Sequence, residues 1–396
     1  MFALIDQPKI DLRQIMSTNT ITRSVEIGLR AVGIWPGVPY VFVNRLFWTT
    51  MMITVQIFQY RYVVMHLNSD DISLLMDSLS SCLTFSLLCV KLIVFWTKQR
   101  IFSDVLTSIA TDWEECGDAS YSMSSVANLS HRFSNLIIGL HSSAVLFYCI
   151  GVVALRSDDA ADPANRELIV KIDLPFESGT SPMYEVVMTT QFLQVITAAG
   201  VIGVFNALLV TLVLHVGGQI DILRKKILEI LPKKKKSTVS TISIGSLIRR
   251  HQNIIVFTGK IESLYSYIAL GQFLSNTLVI CSLGFVIVKS IGADQGSSML
   301  VRSLLFYVVT NMEAFIFCFA GEYLSGKSQM IGDAAYESLW YDLTPSENRI
   351  LLFLIMRSQK QLAITIGRFT NLSLYQFSNI IKSSASYVSV LRILTV

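Results

Sequence analysis

The stretch Val186–Val216, VVMTTQFLQVITAAGVIGVFNALLVTLVLHV, decides the fold class, because it contains no Asp, Glu, Lys or Arg residue. About 20 apolar residues in a helix cross the hydrocarbon core of a bilayer, and this run exceeds that length. Charged residues make up only 15% of the 396 residues, against about 25% in ordinary soluble domains, and the mean hydropathy is +0.54. The composition therefore argues against a soluble protein and predicts a chain whose main solvent is lipid.

Five further runs are long and apolar enough to span a membrane, and a less apolar run with several Ser and Asn residues ends the chain. The predicted spans are Leu46–Val64, Ile72–Trp96, Leu136–Leu155, Val186–Val216, Tyr267–Val288, Met299–Ala320 and Phe369–Val396. A further apolar segment, Ile350–Met356, is too short to cross a bilayer. We predict an all-α polytopic membrane protein with seven transmembrane helices in a single domain.

The orientation follows from Lys and Arg, which are enriched in cytosolic loops. If the N-terminus is cytosolic, the tail and the cytosolic connections hold most of the basic residues, including the Lys233–Lys236 run, whereas loop 156–182 is rich in acid. We predict a cytosolic N-terminus and an extracellular C-terminus, the reverse of a G-protein-coupled receptor. Beside a membrane, the lysine run indicates a lipid-facing loop and no nucleic-acid site. The Lys- and Ser/Thr-rich stretch Pro232–Ile244 is predicted to be flexible.

One motif suggests nucleotide binding, because Gly321-Glu-Tyr-Leu-Ser-Gly326-Lys327-Ser328 fits the pattern GxxxxGK[ST]. A phosphate-binding loop follows a strand, but this segment follows the end of a predicted membrane helix. We interpret the match as chance. The five histidines show no metal-ligand spacing, and neither HExxH nor GxSxG occurs. The sequence therefore predicts no enzyme, no metal site and no cofactor.

Charged residues inside membrane spans are candidates for a functional role. Arg45 and Lys91 lie towards the predicted cytosolic ends of their helices, so we expect their side chains to reach the membrane interface. Asp77 and Glu313 are different, since either could face a water-filled cavity or make a polar contact between helices. The sequence does not choose between these two roles.

The last span carries a stripe of residues that recur every three or four positions and so share one helix face. The stripe consists of Gln376, Asn379, Ser383, Ser386, Val390 and Leu394. Its polar members would be costly against lipid. On a symmetric axis they would line a wet pathway, which Val390 and Leu394 could close by excluding water. Packing against other helices of the same subunit explains the stripe equally well.

The outer halves of spans two to six combine aromatic and Met residues with a few polar groups, as expected around a small apolar ligand. The candidate ligand-binding residues are Met76, Ser143, Phe147, Tyr148, Tyr184, Met188, Gln191, Phe192, Phe306 and Tyr307. For any one of these residues taken alone, ordinary helix packing is the simpler interpretation.

Several short segments near the C-terminus follow one another in a specific order. They are Ala335-Tyr336-Glu-Ser-Leu-Trp340-Tyr341, Arg357-Ser358-Gln359-Lys360 and Ser373-Leu374-xx-Phe377-xx-Ile380-x-Lys382-xx-Ala385-Ser386-Tyr387. Before the fourth span stand Leu174-Pro175-Phe176 and Ser181-Pro182-x-Tyr184-Glu185. Together these segments resemble the insect odorant receptor family. The gustatory branch of the same superfamily is the nearest alternative, but its terminal TYxxxxxQF pattern is absent here.

The resemblance implies an odorant-gated, non-selective cation channel in the plasma membrane of an olfactory neuron. Such subunits bind a small volatile odorant and form a hetero-tetramer with a co-receptor, and the short loop 217–250 suggests the ligand-tuning subunit. The seventh helix would line the pore, with Val390 and Leu394 at the gate. A secondary transporter is an alternative from another class, although we find no internal repeat. The implied division is a cytosolic tail 1–37, helices one to six with the pocket 38–320, a cytosolic anchor 321–361 and the pore helix 362–396.

Overall fold

The computed structural model describes residues 20–68, 72–115, 120–154, 168–176, 179–230, 241–291, 297–338, 340–342 and 345–394. The described helices are α1 (Arg23–Ala31), α2 (Val41–Met65), α3 (Ile72–Thr97), α4 (Gln99–Glu114), α5 (Ser120–Ala154), α6 (Met183–Ile230), α7 (Thr241–Ser290), α8 (Ser297–Glu337), α9 (Pro345–Ser358) and α10 (Leu374–Leu394). A 3₁₀ turn covers Trp340–Asp342, and the short strands β1 (Thr365–Ile366) and β2 (Thr370–Asn371) pair antiparallel.

Six of the described helices, α2, α3 and α5 to α8, are long and apolar enough to cross a membrane. Helix α10 has 21 residues, or about 30 Å at 1.5 Å per residue. It is therefore also long enough, and its Ser, Asn and Gln residues together with Lys382 and Arg392 make it less apolar than the others. These seven helices coincide in order with the seven predicted spans.

Helices α6, α7 and α8 continue well beyond the apolar runs that reveal them in the sequence. Hydropathy marks the part of a helix that suits lipid, and here each helix continues into a more polar extension. The ends of α6 and α8 are tied together by Lys327, whose ammonium lies 2.7 Å from both carboxylate oxygens of Asp221. Arg250 of α7 donates to Gln219 of α6 at 2.7 Å. We call residues 217–230, 241–260 and 321–337 the extension region.

The predicted flexible stretch Pro232–Ile244 is wrong at its end, because α7 already begins at Thr241. The earlier part of that stretch, including Lys233–Lys236, lies outside the described residues. So do Lys9 and Arg13 of the predicted tail and most of the acidic loop 156–182.

Helix α6 forms the centre of the bundle, as its uncharged run 186–216 requires. Ala207, Leu208 and Leu212 on it are completely buried. Next to them, the Phe95 ring of α3 contacts the rings of Phe205 and Tyr265, with centroid distances of 4.9 and 5.6 Å. The Tyr265 hydroxyl donates to the Phe205 carbonyl oxygen at 3.2 Å. This cluster fixes α3, α6 and α7 against one another.

A tight hairpin determines where the last helix begins. Gly367 has a φ of 57°, in the left-handed region that favours glycine, and its N–H donates to the Ser266 carbonyl oxygen at 3.0 Å. Residues 365–371 are thereby held against α7, and α10 begins only at Leu374, five residues after the predicted start. On the other side, Gly321 of α8 lies so close to Leu372 that a Cβ atom there would collide with it.

Candidate ligand cavity and pore helix

A cavity of about 120 Å³ lies among α3, α5, α6 and α8, and residues 169–171 also line it. Its wall is mostly apolar and includes Phe85, Val145, Val195, Ile202 and Phe306. Small-molecule sites in proteins have this character, with hydrophobic walls and a few placed polar groups.

Residues 169–173, which lie beside the cavity, are held in place by side chains from other parts of the chain. The Gln191 amide accepts from the Val170 N–H at 3.1 Å and donates to the Val170 carbonyl oxygen at 2.9 Å. The Tyr148 hydroxyl donates to the Ile169 carbonyl oxygen at 3.4 Å, and Arg61 pairs with Asp173 at 2.7 Å. This extended segment therefore forms a fixed part of the cavity wall.

Two ion pairs include residues that line the cavity. Lys171 Nζ lies 3.7 Å from Asp77 Oδ2, and Lys91 Nζ lies 2.5 Å from Glu313 Oε1. The expectation that Lys91 reaches the membrane interface is wrong, because its side chain is 1% exposed and directed at Glu313. A buried ammonium group needs a counter-charge, and Glu313 supplies it from a helix more than 200 residues away.

The predicted ligand-binding residues divide into several groups. Tyr148 and Phe306 line the cavity, and Gln191 positions the segment beside it. Met188 and Phe192 line a second, more open cavity of about 380 Å³.

The remaining predicted ligand-binding residues lie elsewhere. Ser143 and Phe147 are exposed on α5, Met76 is half-buried on α3, and Tyr184 is buried near the start of α6. Tyr307 packs towards a small cluster that contains Ile280 and Ile380. None of these five residues is among the described residues that line the first cavity.

Sequence reasoning missed most of the polar lining. Ser78, Ser81, Thr84 and Thr310 line the cavity together with Asp77 and Glu313. The charges at Asp77 and Glu313 were recognisable as unusual within spans. The hydroxyl residues of α3 recur at helical spacing, which is the signal that would have grouped them with Asp77.

Helix α10 packs on the bundle through one face. Phe377 contacts Phe315 of α8 at a ring-centroid distance of 5.6 Å, Ile380 is buried, and the buried Ser384 donates to the Thr277 carbonyl oxygen at 3.3 Å. The predicted stripe follows a different face of α10. Gln376 and Asn379 are half-buried, whereas Ser383, Ser386 and Val390 are exposed. The side chain of Leu394 lies outside the described residues.

Helix α8 connects the cavity to α10. Phe306, Thr310 and Glu313 line the cavity, while the next two residues, Ala314 and Phe315, pack against α10. A displacement of α8 at the cavity would therefore act directly on the last helix.

The GxxxxGK[ST] match lies entirely within helix α8, so the backbone amides of residues 321–328 are hydrogen-bonded within the helix and cannot surround a phosphate. Lys327 is bound to Asp221, and Gly321 provides the close approach to Leu372. These contacts give both motif residues a structural role and support the interpretation as a chance match.

Seven helices long enough to span a membrane, four of which line a cavity, define a multi-pass helical membrane protein with room for a small molecule. A profile of the family described as 7tm Odorant receptor matches residues 71–385. The chain therefore belongs to the odorant receptor family, as its C-terminal motifs predicted.

Individual relatives agree with this assignment. Odorant receptor 13a of Drosophila melanogaster is 24% identical over 275 residues, which cover 65% of each chain. Odorant receptor 22c of the same species is 22% identical over 391 residues, covering 91% of this chain and 94% of the relative. The solved insect olfactory receptor OR5 from Machilis hrabei, in complex with eugenol, superposes with a TM-score of 0.80 at 16% identity, over 96% of this chain and 100% of that chain. The all-α, seven-helix membrane fold is thus confirmed, whereas the orientation of the termini stays a prediction.

Proposed function

We propose that this protein is the ligand-tuning subunit of an odorant-gated, non-selective cation channel. The observation that carries the proposal is the exposed polar stripe of α10. Ser383 and Ser386 are exposed and do not pack on the helices of their own chain. The Ser386 hydroxyl donates to the Lys382 carbonyl oxygen at 3.0 Å, but its lone pairs have no donor in lipid, so a row of such groups is better placed against water or another polar surface. A pore between subunits would supply that water.

In this proposal the stripe lines a central pore, and Val390 and Leu394 form its hydrophobic gate. A narrow ring of apolar side chains stops ions by excluding water, and a small widening lets water return. The opening needs only a ligand that binds the open arrangement more tightly than the closed one. No catalytic step and no cofactor take part.

The ligand is a small volatile molecule held in the cavity among α3, α5, α6 and α8. The apolar wall supports this assignment, and so does the eugenol complex of the similar receptor OR5. Tyr148 and Phe306 would contact the ligand directly. Met188 and Phe192 would form part of an entry route through the neighbouring, more open cavity.

The partner is an odorant co-receptor subunit in a hetero-tetramer. The family assignment supports this partner, and the proposed anchor 321–361 includes the end of α8 and all of α9. Basic residues are concentrated in the N-terminal tail and in the connections around the extension region. This distribution supports a cytosolic location for the tail and for the extension region. The channel would then lie in the plasma membrane of an olfactory neuron, with its C-terminus outside.

The test is co-expression with an odorant co-receptor and recording of currents during application of a panel of volatiles. We expect reversible cation currents that need this chain, in contrast to cells that contain the co-receptor alone. Accumulation of a substrate without channel-like conductance would contradict the proposal. An N-terminal tag that antibody reaches on intact cells would contradict the orientation.

A further inference from the structure

The hydroxyl groups of the Ser and Thr residues that line the cavity already donate their hydrogens to the backbone. Each lies within hydrogen-bond distance of a backbone carbonyl oxygen three or four residues earlier, and a carbonyl oxygen can only accept. The pairs are Ser78 to Leu75 at 2.8 Å, Ser81 to Ser78 at 2.9 Å, Thr84 to Ser80 at 2.9 Å and Thr310 to Phe306 at 2.9 Å. These four hydroxyl groups therefore offer only lone pairs to a ligand.

The Tyr148 hydroxyl and the His141 imidazole, which also line the cavity, already use their hydrogens in hydrogen bonds as well. The Tyr148 hydroxyl donates to the Ile169 carbonyl oxygen. His141 Nδ1 lies 2.9 Å from the Ile137 carbonyl oxygen, so this nitrogen carries the proton. The other nitrogen, Nε2, then accepts from the Asn206 amide at 3.2 Å. His141 thus has no proton left for a ligand.

The two carboxylates add further acceptors. Glu313 has about four lone-pair positions. Lys91 uses one at 2.5 Å and the Gln272 side chain uses another, which leaves about two for a ligand. Among the described side chains that line the cavity, the ammonium of Lys171 is the one donor not fully used, and it faces Asp77 at 3.7 Å. Around Thr310 and Glu313, the lining side chains present acceptors.

Resting on the proposed function, we propose that the odorant of this cavity is a hydrogen-bond donor, an alcohol or a phenol, whose hydroxyl group is directed at Thr310 and Glu313. A ketone, ester or ether would bring its oxygen lone pairs against those of Thr310 and the carboxylate. It could gain a hydrogen bond there only by breaking the bond from Thr310 to Phe306. A hydroxylated ligand can donate a hydrogen bond to Thr310 or Glu313 while the bond from Thr310 to Phe306 stays intact.

The volume limits the size of the ligand. A cavity of about 150 Å³ in another protein holds one benzene molecule, so the enclosed volume of about 120 Å³ holds no more than one small ring. The cavity is not fully closed, so a short substituent on that ring can extend beyond the enclosed volume. Three isomers with the formula C₇H₈O consist of one such ring with one or two short substituents: benzyl alcohol, 4-methylphenol and methoxybenzene. The first two carry a hydroxyl donor and the third carries only an acceptor, while the atoms are identical.

The experiment measures concentration–response curves for the three isomers in cells that express this chain with an odorant co-receptor. We expect half-maximal concentrations for benzyl alcohol and 4-methylphenol at least about tenfold below that for methoxybenzene, since the hydrogen bond reaches a charged acceptor. Equal or stronger activation by methoxybenzene would overturn the inference. So would failure of all three isomers, and currents evoked by other volatiles would then show that the proposed function still stands.

A variant locates the contact. Thr310→Val removes one acceptor at nearly constant shape, so we expect about fivefold weaker responses to the two hydroxylated isomers and an unchanged response to methoxybenzene. The matched control is Thr190→Val on α6. Thr190 is exposed, and its hydroxyl, like that of Thr310, donates to the backbone carbonyl oxygen four residues earlier. Surface labelling confirms that both variants fold. If Thr310→Val changes all three responses equally, or if Lys171→Gln abolishes the preference, the assignment to Thr310 and Glu313 is overturned.

Discussion

Lys91 on α3 and Glu313 on α8 form an ion pair with an Nζ–Oε1 distance of 2.5 Å, and their side chains are only 1% and 7% exposed. The ammonium also lies 5.5 Å from the centroid of the Phe317 ring. Because Glu313 lines the ligand cavity, this pair joins α8 to α3, two of the helices that form the cavity wall. The two charges remain buried at an acceptable cost only while both are present.

The first prediction concerns this ion pair. Glu313→Leu leaves an unpaired buried ammonium, so we expect a loss of stability of about 3–5 kcal/mol. The double variant Lys91→Met/Glu313→Leu removes both charges and should recover most of that stability. Thermal unfolding of the purified receptor in detergent measures both effects. A double variant no more stable than the single one would show that the pair is not the cause.

The second prediction concerns Lys327 in the extension region. Its partial exposure of 21%, and 36% for Asp221, limits the contribution of the pair to about 1 kcal/mol. We expect Lys327→Asp to lower surface expression and the charge reversal Lys327→Asp/Asp221→Lys to restore it. Nucleotide binding by the purified protein, lost in Lys327→Asp, would contradict the structural role and revive the phosphate-loop interpretation.

The third prediction concerns the contact between α8 and α10. Phe377→Ala removes the ring that packs on Phe315, so movement of α8 would reach α10 less effectively. We expect a smaller maximal odorant-evoked current, at least about threefold lower, with little change in ligand binding to the purified receptor. The control is Phe42→Ala on α2, where the side chain is 76% exposed. Equal effects at both positions would contradict a specific coupling role.

The fourth prediction concerns the gate. Val390→Ser makes the ring easier to hydrate, so the closed pore should leak, and we expect a larger current in the absence of odorant. Val388→Ser is the matched control, since Val388 approaches Gly284 on the packed face of α10. An unchanged unliganded current in Val390→Ser would contradict its assignment to the gate.

The membrane fold could be predicted from the sequence because its signals are local. The uncharged run around Ala207 and Leu212 predicts a central helix. The polar stripe of α10 can be predicted from the spacing of its residues alone. The helix ends were less predictable, since α7 begins at Thr241 in a Ser- and Thr-rich segment whose composition does not indicate a helix.

The cavity was harder to predict, because it depends on which faces of four helices meet. Phe147 satisfies the composition of a ligand pocket, yet it is exposed on the surface of α5. Thr310 looked unremarkable in sequence and lies in the lining. The partnership of Lys91 with Glu313 joins residues far apart in the chain, so no local pattern identifies it.

The most direct test of the account is cysteine accessibility along α10 during odorant-evoked currents. Single variants Ser383→Cys, Ser386→Cys and Val390→Cys are exposed to a positively charged, membrane-impermeant thiol reagent, with Ser384→Cys as the buried neighbour. We predict that the reagent blocks the current in the three stripe variants, more quickly when odorant is present, and leaves Ser384→Cys unaffected. Block of Ser384→Cys, or no block at any stripe position, would contradict a pore lined by this face of α10.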